Sequence, residues 1–90
     1  ANEADLLNVA LFGMTARGWR EANQDKDGNI RDHATLEQLV VLSNLESINA
    51  VLIHQGLPQS KRLKQLNEVA ITQMKSLAGV AGLKKLKGEI

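Results

Sequence analysis

The sequence contains no cysteine and no tyrosine, a single proline, and only two aromatic residues, Phe12 and Trp19. Without cysteine the chain can form neither a disulfide framework nor a thiolate zinc site. Its two histidines, His33 and His54, are too far apart in the chain to suggest a metal-ligand pair. The apolar residues, 43% of the chain, are mostly Leu, Val, Ile and Ala rather than strand-favouring aromatics, which is typical of a helical protein.

Long apolar runs are also lacking. The longest runs span four residues, among them 39–42 and 50–53, whereas a membrane span needs about 20. We therefore predict no membrane-spanning helix. The chain does not begin with Met and shows no signal-peptide pattern, and we interpret it as a cytoplasmic fragment of a longer protein.

The chemistry of an enzyme is not visible in the sequence. A chain of 90 residues forms one small domain, with little room for a deep lined pocket beside its core. Paired carboxylates in an apolar setting, a glycine-rich phosphate loop and a nucleophile spaced from a histidine are all missing. We therefore expect no enzymatic activity and no cofactor.

Two long helices are predicted in the centre and second half of the chain. A capping box of Thr35 and Gln38 begins the first, over 35–55, and Gly56 follows its last turn. The second, over 58–78, begins near the single proline and is expected to end at the next glycine, residue 79. Since the connection is so short, the pair should fold as an antiparallel hairpin.

The rest of the chain is expected to cover this hairpin or to follow it. Short helices are predicted over 3–12 and 15–22, the second capped by Thr15. We thus predict an all-α fold with a helical domain over 1–79 and a basic tail over 80–90.

Residues 23–34 approach the pattern of a calcium-binding EF-hand loop. Asp25, Asp27 and Gly28 are suitably spaced, but Ala34 stands where the bidentate glutamate is needed. We predict a polar turn without bound calcium.

The helix predicted over 35–55 is apolar on more than one side. One stripe steps by four, three and four residues. A second stripe contains Leu39, Leu42, Asn49 and Ile53, with Val40 and Val51 beside it. Either the N-terminal helices or a second copy of the chain must cover the surplus, and Trp19 either roofs the hairpin or anchors a partner. The candidate interface residues are Trp19, Val41, Leu45, Ile48 and Leu52.

The formal net charge of +1 hides an uneven distribution. Residues 57–90 contain seven Lys or Arg and two Glu, whereas each of the two preceding segments, 1–34 and 35–56, is net acidic. Basic residues can bind phosphates, but no aromatic residues lie among them to stack on bases, so a solvated helix face is the competing interpretation. The candidate nucleic-acid contacts are Lys61, Arg62, Lys64, Lys75, Lys84, Lys85 and Lys87.

Much of the chain resembles the region that follows the DNA-binding module in bacterial and phage-type KilA-N domain proteins. The segments that carry the resemblance are ALFGMTARGWREAN (10–23), GNIRDHA (28–34), EQLVVLSNLE (37–46), QGLPQSKRLKQLN (55–67) and AITQMK (70–75). One departure is Pro58, at a position where the family usually has a serine cap.

This resemblance implies a phage-derived, DNA-associated regulator whose KilA-N module would precede Ala1. The chain would then be its non-catalytic accessory part, which either forms a homodimer or docks to its own KilA-N domain. In both cases DNA is reached only indirectly, through that domain. The alternative function is a nucleic-acid-binding module that uses the basic residues of 57–90.

Overall fold

The computed structural model describes residues 2–89, with the side chains of residues 2–78, and contains helices but no strand within that range. The helices are α1 (Glu3–Phe12), α2 (Ala16–Ala22), α3 (Leu36–His54) and α4 (Gln59–Glu89). The predicted all-α class is confirmed, and so is the packing of two long helices against each other.

The predicted helix caps are present. The hydroxyl of Thr15 accepts a 3.0 Å hydrogen bond from the Gly18 N–H at the start of α2. At the start of α3, the Gln38 N–H donates to the Thr35 hydroxyl (3.1 Å), and the Thr35 N–H donates to Oε1 of Gln38 (2.8 Å), which completes the capping box. Gly56 after α3 has φ +78°, the left-handed conformation that a glycine adopts easily.

The predicted end of α4 at Gly79 is wrong, because the helix continues to Glu89. A glycine inside a helix costs about 1 kcal/mol relative to alanine, which weakens a helix without ending it. Residues 80–89, predicted as a separate tail, therefore have a helical backbone. The lysine side chains of this segment lie outside the described part of the chain.

The core forms where α1 lies across both long helices. α1 supplies three of the buried apolar side chains, and α3 and α4 supply the rest. The core residues are Leu6, Leu7, Ala10, Val41, Leu42, Leu45, Leu66 and Ala70. α2 contributes no buried residue, so of the two helices expected to cover the hairpin only α1 does so through the core.

The predicted polar turn is also present. In the loop between α2 and α3, Oδ1 of Asn29 accepts from the Arg31 N–H (2.9 Å) and the Asp32 N–H (3.1 Å). Oδ2 of Asp32 accepts in return from the Asn29 N–H (2.9 Å). The two side chains that shape the loop are thus engaged with its own backbone.

The short apolar runs predicted no membrane-spanning helix, and α3 requires a correction to that prediction. Within the described residues it is the one helix long and apolar enough to cross a membrane by length and composition, with 19 residues and a hydropathy of 1.3. Scattered polar residues interrupt its runs but leave the average high. Val41, Leu42, Leu45 and Asn49 of α3 are buried inside the chain, and 22% of the apolar stretch is buried in all.

Candidate interaction surface

Three polar side chains, here called the polar clamp, join three helices at one end of the core. They are Glu3 at the start of α1, Asn49 in α3 and Arg62 near the start of α4. Arg62 donates from Nη1 to Oε1 of Glu3 (2.5 Å) and from Nη2 to Oε2 (3.1 Å). Its Nη1 also donates to Oδ1 of Asn49 (2.8 Å), and Nδ2 of Asn49 donates to Oε1 of Glu3 (2.8 Å).

The polar clamp compensates a buried charge. Arg62 is 7% exposed, and its Nε donates to the Leu57 carbonyl (2.9 Å) in addition to the bonds above. A bidentate pair of this kind fixes geometry as well as charge. The hydrogen bond from Arg62, followed by the one from Asn49, lowers the pKa of the Glu3 carboxyl from its ordinary 4.5 to about 2. Because the three side chains bond to one another, the polar clamp holds the helices together.

This position removes Arg62 from the candidate nucleic-acid contacts, since its guanidinium is turned inward and bonded to Glu3 and Asn49. Three of the other candidates, Lys61, Lys64 and Lys75, are exposed on α4. Their spacing places them on one face of the helix, with Glu68 between them. The side chains of Lys84, Lys85 and Lys87 lie outside the described residues.

The structure also corrects most of the candidate interface. Val41 and Leu45 are both 0% exposed within the single chain, so they belong to the core and cannot contact a partner in this fold. Ile48 and Leu52 are partly buried and pack against the same core. The reason is the packing of α3 on both neighbours: α4 supplies Leu66 and Ala70 to the same core, and α1 completes it.

Trp19 lies to the side of the hairpin. Its ring is 5.0 Å from that of His33, measured between centroids. Together they line a cavity of about 190 Å³ with Phe12, Met14 and Ile30. Trp19 therefore packs α2 against the loop before α3. This position fits neither of the two predicted roles, covering the end of the helical hairpin or serving as an exposed contact for a partner.

Except for Ile53, the exposed apolar residues of α3 lie on the side opposite its core stripe. We call this side the outer face of α3. Leu36 is 74% exposed, Val40 43% and Val51 56%. The outer face carries no Lys, Arg, Asp or Glu, and the two glutamates of the helix lie on either side of it. His54, about five turns after Leu36, lies on the same face at the last residue of the helix. It consists of Leu36, Leu39, Val40, Ser43, Ser47, Ala50 and Val51.

Leu39, Val40 and Val51 lie in or beside the second apolar stripe noted from the sequence, but the outer face as a whole is not among the predicted interface residues. It contains a helical spacing of its own, with steps of four, three and four residues from Leu36 through Val40 and Ser43 to Ser47. Two of those four residues are serines, so the larger apolar residues of the core stripe dominated the pattern. The signal that could have revealed it is the small number of charged residues in α3, Glu37 and Glu46.

The grooves of the domain are shallow. A groove of about 500 Å³ runs along α4 and is lined by Gln65, Glu68, Val69, Thr72 and Gln73. Glu68 is the one titratable group in that lining, beside three neutral polar residues.

The described residues thus offer a buried polar clamp that stabilises the fold and an exposed apolar face of α3, whose edge at Val40 also lines a groove of about 150 Å³ with Gln73 and Leu77 of α4. Large exposed apolar patches on small proteins commonly mark sites of interaction. Comparison of the chain with protein-family models, with curated proteins and with solved structures found no match to any of them.

Proposed function

We propose that the chain is a non-catalytic helical interaction domain whose protein partner binds the outer face of α3. The observation that carries this proposal is the exposure of Leu36, Val40 and Val51 on one uncharged face of the most apolar helix. Covering such side chains with a partner removes apolar surface from water, about 25 cal/mol for each Å².

The charge pattern favours a protein partner over nucleic acid at this face. The centre of a protein interface is typically depleted of charge, as the outer face is. Glu37 and Glu46 flank it, and Glu46 lies 3.5 Å from Nη2 of the exposed Arg31. Because α3 contains no Lys or Arg, this face offers no cation to contact phosphates.

The resemblance of residues 3–77 to the region after the DNA-binding module of KilA-N domain proteins supplies a biological context for the proposal. In that context the chain is the accessory part of a phage-derived cytoplasmic regulator. Self-association, or docking to the KilA-N domain, would set how the DNA-binding modules are placed. Two linked modules bind more tightly than one, because the second binds at a high effective concentration.

Site-specific crosslinking tests the proposal. A photoreactive benzoylphenylalanine is placed at Val40 in the full-length protein in its native cells, and a matched control is placed at Ile71. Ile71 is a suitable control because it is a 49% exposed apolar residue on α4, beside a groove shared with α1. We expect one discrete protein adduct from position 40 and none from position 71.

The adduct must then be reproduced with purified components. Binding of the identified partner should weaken at least tenfold with Val40→Lys and be unchanged with Ile71→Lys. If position 40 gives no adduct, or if both variants bind equally well, the outer face of α3 is not the interaction surface.

The alternative of nucleic-acid binding retains one supporting observation, the shared exposed face of Lys61, Lys64 and Lys75 on α4. If these residues contact phosphates, replacing all three with glutamine should weaken duplex binding and lower the salt slope of the affinity by about 3. Duplex binding that is absent, or insensitive to this triple change, rejects the alternative.

A further inference from the structure

We infer that the partner on the outer face of α3 is a second copy of this chain, with the two α3 helices packed antiparallel across a two-fold axis at the level of residue 45. This inference rests on the proposed function, since it names the occupant of the same face. Its support comes from the distribution of side-chain size, charge and hydrogen bonding along α3.

Side-chain size differs between the two halves of the outer face. Leu36, Leu39 and Val40 occupy its first half, whereas Ser43, Ser47 and Ala50 occupy its centre and second half. An antiparallel pair places Leu39 of one copy over Ala50 of the other, and Val40 beside the second copy's Val51. Parallel packing would instead set large side chains against large ones at one end and leave a gap at the other.

The centre of the outer face allows a close approach. Ser43 of one copy would lie opposite Ser47 of the other, and small residues at a crossing let helix axes approach to the short end of the usual 8–10 Å. The Ser47 hydroxyl already donates to the Ser43 carbonyl (3.5 Å). It therefore has a hydrogen-bond partner inside its own helix when water is removed.

The charges of α3 complement each other in the same arrangement. Glu37 lies in the first turn and His54 is the last residue of the helix. Antiparallel pairing brings Glu37 of one copy towards His54 of the other, and the positive end of each helix dipole towards the negative end of its neighbour. Parallel pairing would bring like ends and like charges together.

The size of the surface sets the expected affinity. A helix of 19 residues is about 28 Å long, so a single pair of such helices gives an interface at the low end of the specific range. We therefore expect a reversible dimer with a dissociation constant in the micromolar range.

Sedimentation equilibrium of the purified chain from about 1 to 500 µM measures this association. The wild-type chain should change from monomer to dimer over that range. Val40→Lys and Ser47→Lys should each weaken the dimer at least tenfold, while Ile71→Lys should leave it unchanged. All the positions changed are exposed, and circular dichroism of each variant confirms that the helices are retained.

Spin labels test the orientation of the helices. The chain has no cysteine, so Gln55→Cys, at an exposed position directly after α3, provides one unique labelling site on each copy and keeps His54. Antiparallel packing about residue 45 separates the two labels by about 30 Å along the helix axis, whereas parallel packing leaves them about 10 Å apart. A short distance between the labels overturns the antiparallel arrangement.

The inference and the proposed function fail in different ways. A chain that stays monomeric at 500 µM overturns the inference. If that monomer still binds another protein through Val40, or binds neutral lipid vesicles in a way that Val40→Lys abolishes, the face has a different occupant. If the chain dimerises but Val40→Lys and Ser47→Lys have no effect, the dimer uses another surface and the inference is wrong, whereas the proposed function is still decided by the crosslinking at position 40.

Discussion

The positive charge of Arg62 lies in the interior of a small domain. Its guanidinium donates hydrogen bonds there to Glu3, to Asn49 and to the Leu57 carbonyl. In the sequence it stands among lysines, and its type and position suggest a contact with phosphate. Its partners Glu3 and Asn49 lie 59 and 13 residues away in the chain. No local pattern predicts these contacts, because they form only when α1 and α3 are packed against α4.

The first prediction at the residue scale concerns Arg62 itself. Arg62→Met should lower the free energy of unfolding by about 2–3 kcal/mol, because it leaves the Asn49 side chain and the Leu57 carbonyl without their donor. Lys61→Met, on an exposed neighbour, should change it by less than about 0.5 kcal/mol. Urea unfolding of the two variants gives the comparison, and equal stabilities would show that the polar clamp contributes nothing.

The second prediction concerns Glu3 and pH. Its carboxyl has a pKa of about 2 in the folded chain, below the ordinary 4.5. Glu3 therefore stabilises the fold fully above about pH 4.5, and this contribution is lost as the pH falls from 4.5 towards 2.

Thermal unfolding between pH 2 and 7 tests this dependence on pH. Glu3→Gln should lose stability less steeply than wild type on acidification below pH 4.5, whereas Asp25→Asn, in the exposed loop, should follow the wild-type curve. A steep loss retained in Glu3→Gln would assign the acid sensitivity to other carboxyls.

At the scale of helices, the positions where the helices start could be predicted from the sequence, whereas the end of α4 could not. Capping depends on groups within three residues of each other, as in Thr35 and Gln38, so the sequence contains the whole signal. The extension of α4 through Gly79 was missed because a glycine only weakens a helix, and the balance of many residues decides whether it continues.

The capping box at Thr35 supports a prediction at this scale. Thr35→Ala should lower the free energy of unfolding by about 1 kcal/mol, because the Gln38 N–H loses its acceptor. Thr35→Ser keeps a hydroxyl in the same place and should stay close to wild type. If alanine and serine have the same effect in chemical unfolding, the cap is not a source of stability.

At the scale of the whole molecule, the packing of α1 and α4 decides which side of α3 is inside. Leu6, Leu7 and Ala10 of α1 share one core with Val41 and Leu45 and with residues of α4, and the opposite side of α3 stays largely exposed. The wide apolar coverage of α3 left two ways to cover its surplus, the N-terminal helices or a second copy, and α1 provides the first. The candidate interface residues of α3 were on the wrong side because several faces of this helix are apolar.

Substitutions in the core should therefore affect the whole domain. Leu45→Ala should lower the free energy of unfolding by about 2–5 kcal/mol in one cooperative transition, since Leu45 is fully buried in a core shared by three helices. Val40→Ala, on the outer face, should change it by less than about 0.5 kcal/mol. A Leu45→Ala variant as stable as wild type would contradict this core.

The sequence by itself determined the helical class, the helix starts and the turn at Gly56, because propensity, capping and backbone freedom act over a few neighbouring residues. Tertiary structure alone decided that Arg62 is buried in the polar clamp, that Val41 and Leu45 belong to the core, and that the outer face of α3 is free. Each of these depends on which helix packs against which, and that choice follows from apolar surface and charge summed over residues far apart in the chain.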